Sequence, residues 1–508
     1  MAEVEIRFAV PHDLDARVAR LYAASPARTV EHNETTYFDT PDLALWRRGI
    51  ECRIRQGDAG LRQTVKAPVP GGAAFARAES ELRLADNQLN LEHLRHAIPS
   101  DARADFELAA LRPVFSAHVE RQRRLIERNG AEIEAAYDQG TLVSDRQSLA
   151  IDDVEHELKH GGHDGLANSC LDFLAEAPCG LQTLGKAARG FRLVTGDAPV
   201  VALAEPLHLP PDTAIPDAIR AMLRSAFAQV LRNHAPLIET SDPEAVHQMR
   251  VGIRRLRAVL SAFSPVLFLG AAEDLLSETK AVFAQLGDVR DADVFLLETL
   301  PRMPAGAQDE GARRTLRREV ERFRRRTRAA SVAYFTGADF ARLAVRWQGW
   351  IESGRWLRDD RLVDRLLKTR PVHEFASARL ARMTRKLLRH GHRARSGAID
   401  DWHRVRIAAK KLRYAGDPLK ALLDDSEKKG RTRIRKLAGL QDDLGVFNDM
   451  CNVAPFLHRV RHGVPPDARA AFAEATAFCA GWSEAETAHA VAHLEKTWKK
   501  FEAANKAK

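Results

Sequence analysis

Glu3-Val4-Glu5-Ile6-Arg7-Phe8 alternates charged and apolar side chains, and Asp153-Val154-Glu155-His156-Glu157-Leu158-Lys159 repeats the pattern far along the chain. Alternate residues of a β-strand share a face, so each stretch reads as a strand with one charged and one apolar face. The same alternation runs through Glu51, Arg53 and Arg55, through Arg77, Glu79 and Glu81, through Arg121 and Arg123, and through Glu132 and Glu134. Val4, Ile6, Phe8, Ile54, Ile133, Val154 and Leu158 fall on the opposite faces. The charges are grouped by sign. Carboxylates two apart suit a hard divalent cation, and arginines two apart suit phosphate oxygens. Periodicity alone leaves open whether this charged face meets water, as in an ordinary antiparallel sheet, or lines the inside of a barrel.

Working outward, the pattern predicts strands at about 3–10, 34–39, 50–56, 61–66, 76–84, 119–128, 131–138, 141–146, 150–159 and 191–194. It predicts short helices at about 13–23, 87–98 and 165–176. Gly57-Asp58-Ala59-Gly60, Asn129-Gly130 and Asp138-Gln139-Gly140 read as hairpin turns. Many short antiparallel strands with few helices point to a barrel or sandwich. The proline-rich stretch 201–213 reads as a linker between a domain at 1–200 and another at 214–505.

Charge separates the two parts. The chain of 508 residues carries a formal +9, but residues 1–210 sum to −8 and residues 211–508 to +17. Apolar residues at 45% with a full charged complement exclude a disordered chain. No apolar run is long enough to span a membrane, and the first residues lack the basic and apolar regions of a secretory signal. Five scattered cysteines without metal-ligand spacing fit a reducing compartment and no structural zinc. The reading is therefore of a cytoplasmic protein.

The basic part contains a repeat. His247, Arg250, Arg254 and Arg257 recur as His403, Arg406, Lys410 and Arg413, and Leu286-Gly287-Asp288 recurs as Leu444-Gly445-Val446. Asp291 and Asp449 then close the two matching segments. On a helix each basic set falls within an arc of about 80°. Leu256 and Leu412 lie on the far side, toward a core. Like charges so spaced repel unless something anionic lies against them. A third stripe joins Arg382, Arg385, Arg389 and Arg393, whereas the nine arginines of 313–328 read as a solvated helix face. Ser241 and Glu244 are placed to form a capping box for a helix at 242–263, with Pro243 in its first turn.

These residues resemble known families. Glu3-Val-Glu5-Ile-Arg7, Tyr37-Phe38-Asp39-Thr40, Arg53-Ile-Arg55, Lys66, Arg77-Ala-Glu79-Ser-Glu81, Asp138-Gln-Gly140, Asp153 to Lys159 and Lys186-Ala-Ala-Arg189-Gly190-Phe191 resemble the CYTH domain, the triphosphate tunnel metalloenzyme fold. The resemblance spans about residues 1–200. It implies a closed antiparallel barrel that hydrolyses triphosphates with Mg²⁺ or Mn²⁺. Carried over by position, Glu3, Glu5, Glu134 and Glu155 or Glu157 would hold metal. Arg53, Arg55, Arg77, Arg121, Arg123, Lys186 and Arg189 would bind substrate phosphate, with Arg7 and Lys66 as catalytic groups. Glu79 and Glu81 would orient the cations or help hold the metal. The family substrates are inorganic triphosphate, thiamine triphosphate and RNA 5′-triphosphate ends, and some members cyclise ATP.

The chain departs from that pattern at Arg7, where lysine is expected, at Gly185, where serine is usual, and at Asp153, often glutamate. The helical repeats resemble the CHAD domain over about 214–500. That resemblance implies two related four-helix units that bind inorganic polyphosphate through His247, Arg250, Arg254, Arg257, His403, Arg406, Lys410 and Arg413, with Asp291 and Asp449 ordering the cations. The expected fold class is multidomain α+β: a closed antiparallel barrel followed by an all-α domain of two related helical bundles. The leading activity is release of phosphate from inorganic triphosphate. A non-catalytic polyphosphate-binding scaffold and a thiamine triphosphatase or adenylate cyclase are the alternatives. Polyphosphate granules would be a site of association in the cytoplasm. Few aromatic residues interleave the basic stripes, which argues against nucleic acid.

Overall fold

The computed structural model describes residues 2–24, 28–69, 72, 75–99, 107–210, 212–304, 309–357, 372–395, 398–419 and 428–506. In the N-terminal part these are β1 (Ala2–Ala9), α1 (Asp15–Ala23), β2 (Thr29–Asp39), α2 (Ala44–Arg47), β3 (Glu51–Gly57), β4 (Gly60–Pro68), β5 (Ala76–Arg83), α3 (Leu91–Ala97), β6 (Arg112–Arg128), β7 (Ala131–Val143), β8 (Ser148–His160), α4 (His163–Glu176), β9 (Gly180–Leu181) and α5 (Lys186–Thr195). The strand order is β5-β4-β3-β2-β6-β7-β8-β1-β9, and β1 also pairs with β5. Strands β1 to β8 therefore close into an antiparallel barrel. Residues 2–4 of β1 pair with β5 and residues 8–9 with β9, while residues 5–9 pair with β8 on the other side.

The apolar faces point outward. Ile6, Phe8, Ile133 and Val154 are fully buried, and Phe8 meets Phe173 of α4 at 5.5 Å between ring centroids. His156 lies on the same side, hydrogen-bonded to Ser169 at 3.0 Å. Burial pushes it down to about 3, so it stays neutral and belongs to the packing. A second layer forms where α3 brings Leu94 and Ile98 against Cys52 and Val65. With the outer face dry, the charged face has only the interior left to occupy.

Two sequence expectations fail here. Residues 191–194 belong to α5 rather than to a strand, because Ala187 and Phe191, one helical turn apart, pack with Tyr37, Phe115, Leu142 and Ile151. This cluster fills one end of the barrel. Gly190 makes it possible, since a Cβ there would lie 2.0 Å from the Phe115 ring. Asp138-Gln139-Gly140 is not a turn. It lies in the middle of β7, which runs on to Val143 and so absorbs the expected strand at 141–146. Asp138 is held there by Arg121 on β6, a partner distant in sequence. Gly57–Gly60 and Asn129-Gly130 do turn, the latter with Asn129 and Gly130 both at positive φ.

The C-terminal helices are α6 (Ile215–Arg232), α7 (His234–Glu239), α8 (Pro243–Phe263), α9 (Glu273–Val294), α10 (Leu300–Arg302), α11 (Glu310–Thr336), α12 (Ala338–Ser353), α13 (Val372–Ala394), α14 (Ile399–Leu419), α15 (Lys428–Arg461) and α16 (Arg469–Lys506). Asp242, not Ser241, caps α8: its Oδ1 accepts from the Glu244 amide at 2.8 Å. The chain forms two compact units. One holds residues 1–202, 231–245 and 332–356, and the other holds 203–230, 246–331 and 357–508.

The first unit thus includes α7 and α12 as well as the barrel. Arg342 of α12 donates to the Leu174 carbonyl at 2.9 Å, and a Cβ on Gly349 would lie 2.8 Å from Ala167. His234 stacks on Phe340 at 5.0 Å and hydrogen-bonds the Phe335 carbonyl at 2.7 Å. A fragment 1–202 keeps every strand yet uncovers this face of α4. Its thermal midpoint is expected about 5–10 °C below the barrel transition of the full chain. Equal midpoints would mean that α12 contributes nothing to the barrel.

In the second unit Leu256 and Leu412 are buried, as the stripe geometry requires. One core joins Phe295, Leu316 and Phe323 to Phe456 and Phe472, and another packs Trp402, Leu412 and Phe447 against Trp498. The arginine-rich segment 313–328 is only partly a solvated face. Arg313 donates to the carbonyls of Leu300, Met303 and Pro304, Arg324 pairs with buried Asp293 at 2.5 Å, and Arg318 and Arg322 hold buried Glu319.

Candidate functional sites in the barrel and the helical unit

Strand register sets the interior row by row. Arg7 stands opposite Glu155, Glu5 opposite Glu157, and Glu157 in turn opposite Glu134. Asp138 stands opposite both Arg121 and Asp153. Glu51, Lys66 and Glu79 form one row across β3, β4 and β5. Directly opposite residues of an antiparallel pair share a face, so β1, β3, β4, β5, β6, β7 and β8 deliver charge to one space. α5 adds Lys186 and Arg189 beside its aromatic end.

The deepest part is a network of opposite charges. Fully buried Asp138 accepts from Arg121 at 2.7 and 2.6 Å and pairs with Lys186 at 2.6 Å. Glu155 accepts from Arg121 at 2.5 Å and also from Lys186. Burial would raise the Glu155 carboxyl, but Lys186, Arg121 and Arg7 hold it well below the usual range. Arg189 pairs with Asp153. Glu155 therefore stands among cations, at the edge of the carboxylate row.

That row comprises Glu3, Glu5, Glu134 and Glu157. Each carboxylate now has a cationic neighbour: Lys66 on Glu3 at 2.5 Å, Arg7 on Glu5 at 2.8 Å, Lys159 on Glu157 at 2.7 Å, and Arg123 on Glu134 at 3.3 Å. Burial pushes Glu157 up to about 7; Lys159 opposes this, while Glu3 and Glu134 add to it. Burial followed by Glu155 likewise raises Glu5. Buried carboxylates that resist ionisation, with other carboxylates close by, are suited to share a divalent cation, and oxygen-only donors match Mg²⁺ or Mn²⁺. Among the described residues, no three His, Cys, Asp or Glu side chains converge as a ready metal cluster. The donor set fits such an ion once the lysine and arginine partners move aside.

Arg55 is different. It is half-buried, it pairs with no carboxylate among the described residues, and it is pushed down to about 10, first by Arg53, then by burial and Arg121, with Tyr37 and Asp138 opposing. Arg53 itself is tied to Glu51 at 3.1 Å and Glu79 at 3.8 Å. Arg77 lies exposed at the rim and donates to the Gly49 carbonyl at 3.2 Å. Arg123 also contacts Glu31 at 2.6 Å. Register further places Arg62 and Arg83 on the inner face, opposite Arg55 and each other. Sequence reading missed both, although the alternation Arg62, Thr64, Lys66 was there to be followed.

The two main departures from the family pattern meet in space. A Cβ on Gly185 would lie 3.3 Å from Arg7 Nη1 and 3.4 Å from its Cζ. Arginine is larger than lysine, and glycine at 185 leaves it room. Burial opposes the Arg7 charge, but Glu5, Glu155 and Asp153 outweigh it and keep the guanidinium protonated.

In the second unit the two basic stripes face one another. Burial, then Arg254, lowers Arg250 to about 10, with Arg406 from the other repeat adding to the effect. Burial, then Arg406 and Arg254, lowers Lys410 to about 7. Arg250 donates to the Phe283 carbonyl at 2.6 Å and lies over the Phe283 ring at 4.1 Å, while Arg254 lies 5.8 Å from the Tyr414 ring centre. A Cβ on Gly287 would be 2.9 Å from Arg250 Nη1, so the glycine of the repeated Leu-Gly segment seats that guanidinium. Arg413 bonds Gln441 at 3.0 Å, Arg257 lies 5.5 Å from the Phe283 ring centre, His247 is half-buried and His403 exposed. Asp291 pairs with Arg459 at 2.6 Å, and Asp449 attracts Arg406 and Lys410. Arg459 and the Phe283 ring escaped sequence reading because no repeat partner marked them.

A closed barrel with an inward charged lining, joined to a duplicated basic helical unit, is the class that this geometry defines. Residues 1–191 match the CYTH domain family, and residues 221–458 match the CHAD domain family. The chain is a CYTH domain followed by a CHAD domain. An inorganic triphosphatase of Haemophilus influenzae is 28% identical over 200 residues, which are 38% of this chain and 55% of that protein. The chain thus spans about half the length of this curated relative. The crystal structure of the CHAD domain from the plant Ricinus communis is 28% identical with a TM-score of 0.52, covering 60% of this chain and 97% of that one.

Proposed function

We propose that the barrel binds and hydrolyses a triphosphate with Mg²⁺ or Mn²⁺, inorganic triphosphate foremost, and that the basic helical groove holds polyphosphate. The observation that carries the first part is Arg55: a guanidinium without a carboxylate partner among the described residues, squeezed by Arg53 and Arg121. It offers a fixed place for a phosphate. Arg121, Lys186 and Arg189 extend that place toward α5, and Arg53 and Lys66 toward β5. The name of the Haemophilus influenzae relative supports inorganic triphosphate as substrate.

Glu3, Glu5, Glu134 and Glu157 would hold the cation, with Glu155 kept for the basic groups that already surround it. Bound there, a divalent ion would screen phosphate charge and lower the pKa of water. Anionic substrate and cationic metal together would exchange partners with the resident pairs. Lys66 leaves Glu3 and Arg7 leaves Glu5, and both turn to phosphate oxygens. Water adds to the terminal phosphorus as the bridging P–O bond breaks, its proton passes to an oxygen of the phosphate being released, and diphosphate departs with its charge on the arginines. Arg7 cannot give up its proton, so it stabilises charge and does not relay protons. The aromatic cluster at the α5 end keeps the reacting phosphates against one polar wall.

The test is phosphate release from tripolyphosphate, thiamine triphosphate and ATP by the whole chain, with Mg²⁺, with Mn²⁺ and with chelator. Metal-dependent release fastest from tripolyphosphate is expected. No release from any of them, with long-chain polyphosphate still retained, would establish the scaffold instead.

The groove carries its own pH signature. A polyanion needs Lys410 charged, whereas the free groove holds it near neutral. Binding therefore takes up a proton, and affinity for polyphosphate is expected to fall as pH rises above about 7, by up to about 10-fold per unit. Lys410→Arg should flatten that slope, because arginine stays charged. Calorimetry at several pH values reads both; parallel slopes would remove Lys410 from the groove.

A further inference from the structure

The third basic stripe leads to a separate cavity in the second unit. A cleft of about 580 Å³ lies between the end of α8, helix α13 and helix α14. Arg379, Arg382, Lys386, Arg389, Arg404 and Lys411 line it, with His390. On α14, Arg404 and Lys411 project from a face roughly 130° from His403, Arg406 and Lys410, at about 100° per residue. The cleft is thus a different side of that helix from the polyphosphate groove, and of the stripe residues Arg257 acts on it through Lys411.

Three observations make the cleft more than a solvated surface. First, no carboxylate lines it among the described residues. Arg404 pairs with Asp401 and Arg379 donates to the Ser261 carbonyl at 2.7 Å, but Arg382, Lys386, Arg389 and Lys411 have no carboxylate partner among the described residues. Second, the crowding is felt. Burial, then Lys386 and Arg257, lowers Lys411, and burial, then Lys386, Arg393 and Arg389, lowers His390. Third, Pro265, Met383, Ile407 and Ala408 give the cleft an apolar floor. A bare phosphate chain has no use for such a floor, whereas a carbon body does.

We propose that this cleft is a second anion site, which takes a compact organic phosphate carrying two or more phosphate groups on a carbon framework. The phosphates lie against the unpaired lysines and arginines, and the framework rests on Met383 and Ile407. Its volume admits one such molecule and excludes a folded polymer. A nucleoside diphosphate and an inositol polyphosphate share this chemistry, so both serve as probes.

The experiment is calorimetric titration of the full chain, at fixed salt, with ADP and with inositol hexakisphosphate. Lys386, Arg389 and Lys411 are exposed, so Lys386→Ala/Arg389→Ala/Lys411→Ala leaves the core intact. Saturable binding to the wild type is expected from at least one probe, weakened about 10-fold or more in this variant. Arg254→Ala/Arg406→Ala, which strips the other groove, should retain it. The probe that binds more tightly identifies the source. Absence of saturation below about 1 mM for both probes would overturn the proposal. So would binding lost in Arg254→Ala/Arg406→Ala and kept in the triple variant, or binding of tripolyphosphate at the cleft as tight as that of either organic probe.

Discussion

Replacing Glu3 and Glu5 together by glutamine is expected to lower metal-dependent phosphate release from tripolyphosphate by about 10²–10³-fold. The two carboxylates share a face of β1, with Glu157 opposite Glu5 on β8 and Glu134 beyond it on β7, and none of the four pairs with Arg121 or Lys186 of the Asp138 network. Glutamine keeps the shape and a hydrogen bond to Lys66 and Arg7, but it cannot neutralise a divalent cation. The fold should tolerate the change. Burial already raises the Glu5 carboxyl, so removing that charge relieves a cost as well as a contact. Activity lost at an unchanged thermal midpoint is the expected pair of results. Activity within about 10-fold of wild type would remove this row from the metal and leave the barrel a binding scaffold.

Two neighbouring arginines should respond in opposite directions. Arg121→Ala strips the guanidinium from Asp138 and Glu155, leaving buried carboxylates short of a partner, and is expected to cost about 3–5 kcal/mol of stability. Arg55→Ala removes a cation that Arg53 and burial already disfavour, so stability should hold or rise by about 1 kcal/mol. The same substitution should raise KM for tripolyphosphate about 10–100-fold, because a charge-assisted phosphate contact is gone. Chemical denaturation and steady-state kinetics measure the two sides. A strongly destabilised Arg55→Ala would mark that arginine as structural and sink its role as the phosphate seat.

Much of this was legible in the residues. Period-two alternation located most of the strands, because a side chain on a pleated sheet has only two directions to take. It failed where a tertiary partner decided the outcome. Asp138-Gln139-Gly140 has turn chemistry but stays extended under the grip of Arg121. Phe191 follows a strand-like run but serves as the plug of α5. Ser241 is a sound cap residue, yet Asp242 is one residue better placed. The helical repeat was legible in the same way, since a stripe at helical spacing shows in any copy. Arg459 and Phe283, unmatched in the other repeat, did not stand out.

By itself, the sequence determined that charge and apolarity would be sorted onto opposite faces, and that a basic helical segment occurs twice. Only the tertiary structure decided which way those faces turn. Closing β1 onto β5 while α3 and α4 cover the outer side leaves the acids and arginines no exit but inward. It also decided which cations stay without an acidic partner among the described residues, Arg55 in the barrel and Lys386 and Arg389 in the cleft. Pairing depends on distance between residues far apart in the chain, which periodicity along a single strand or helix does not encode.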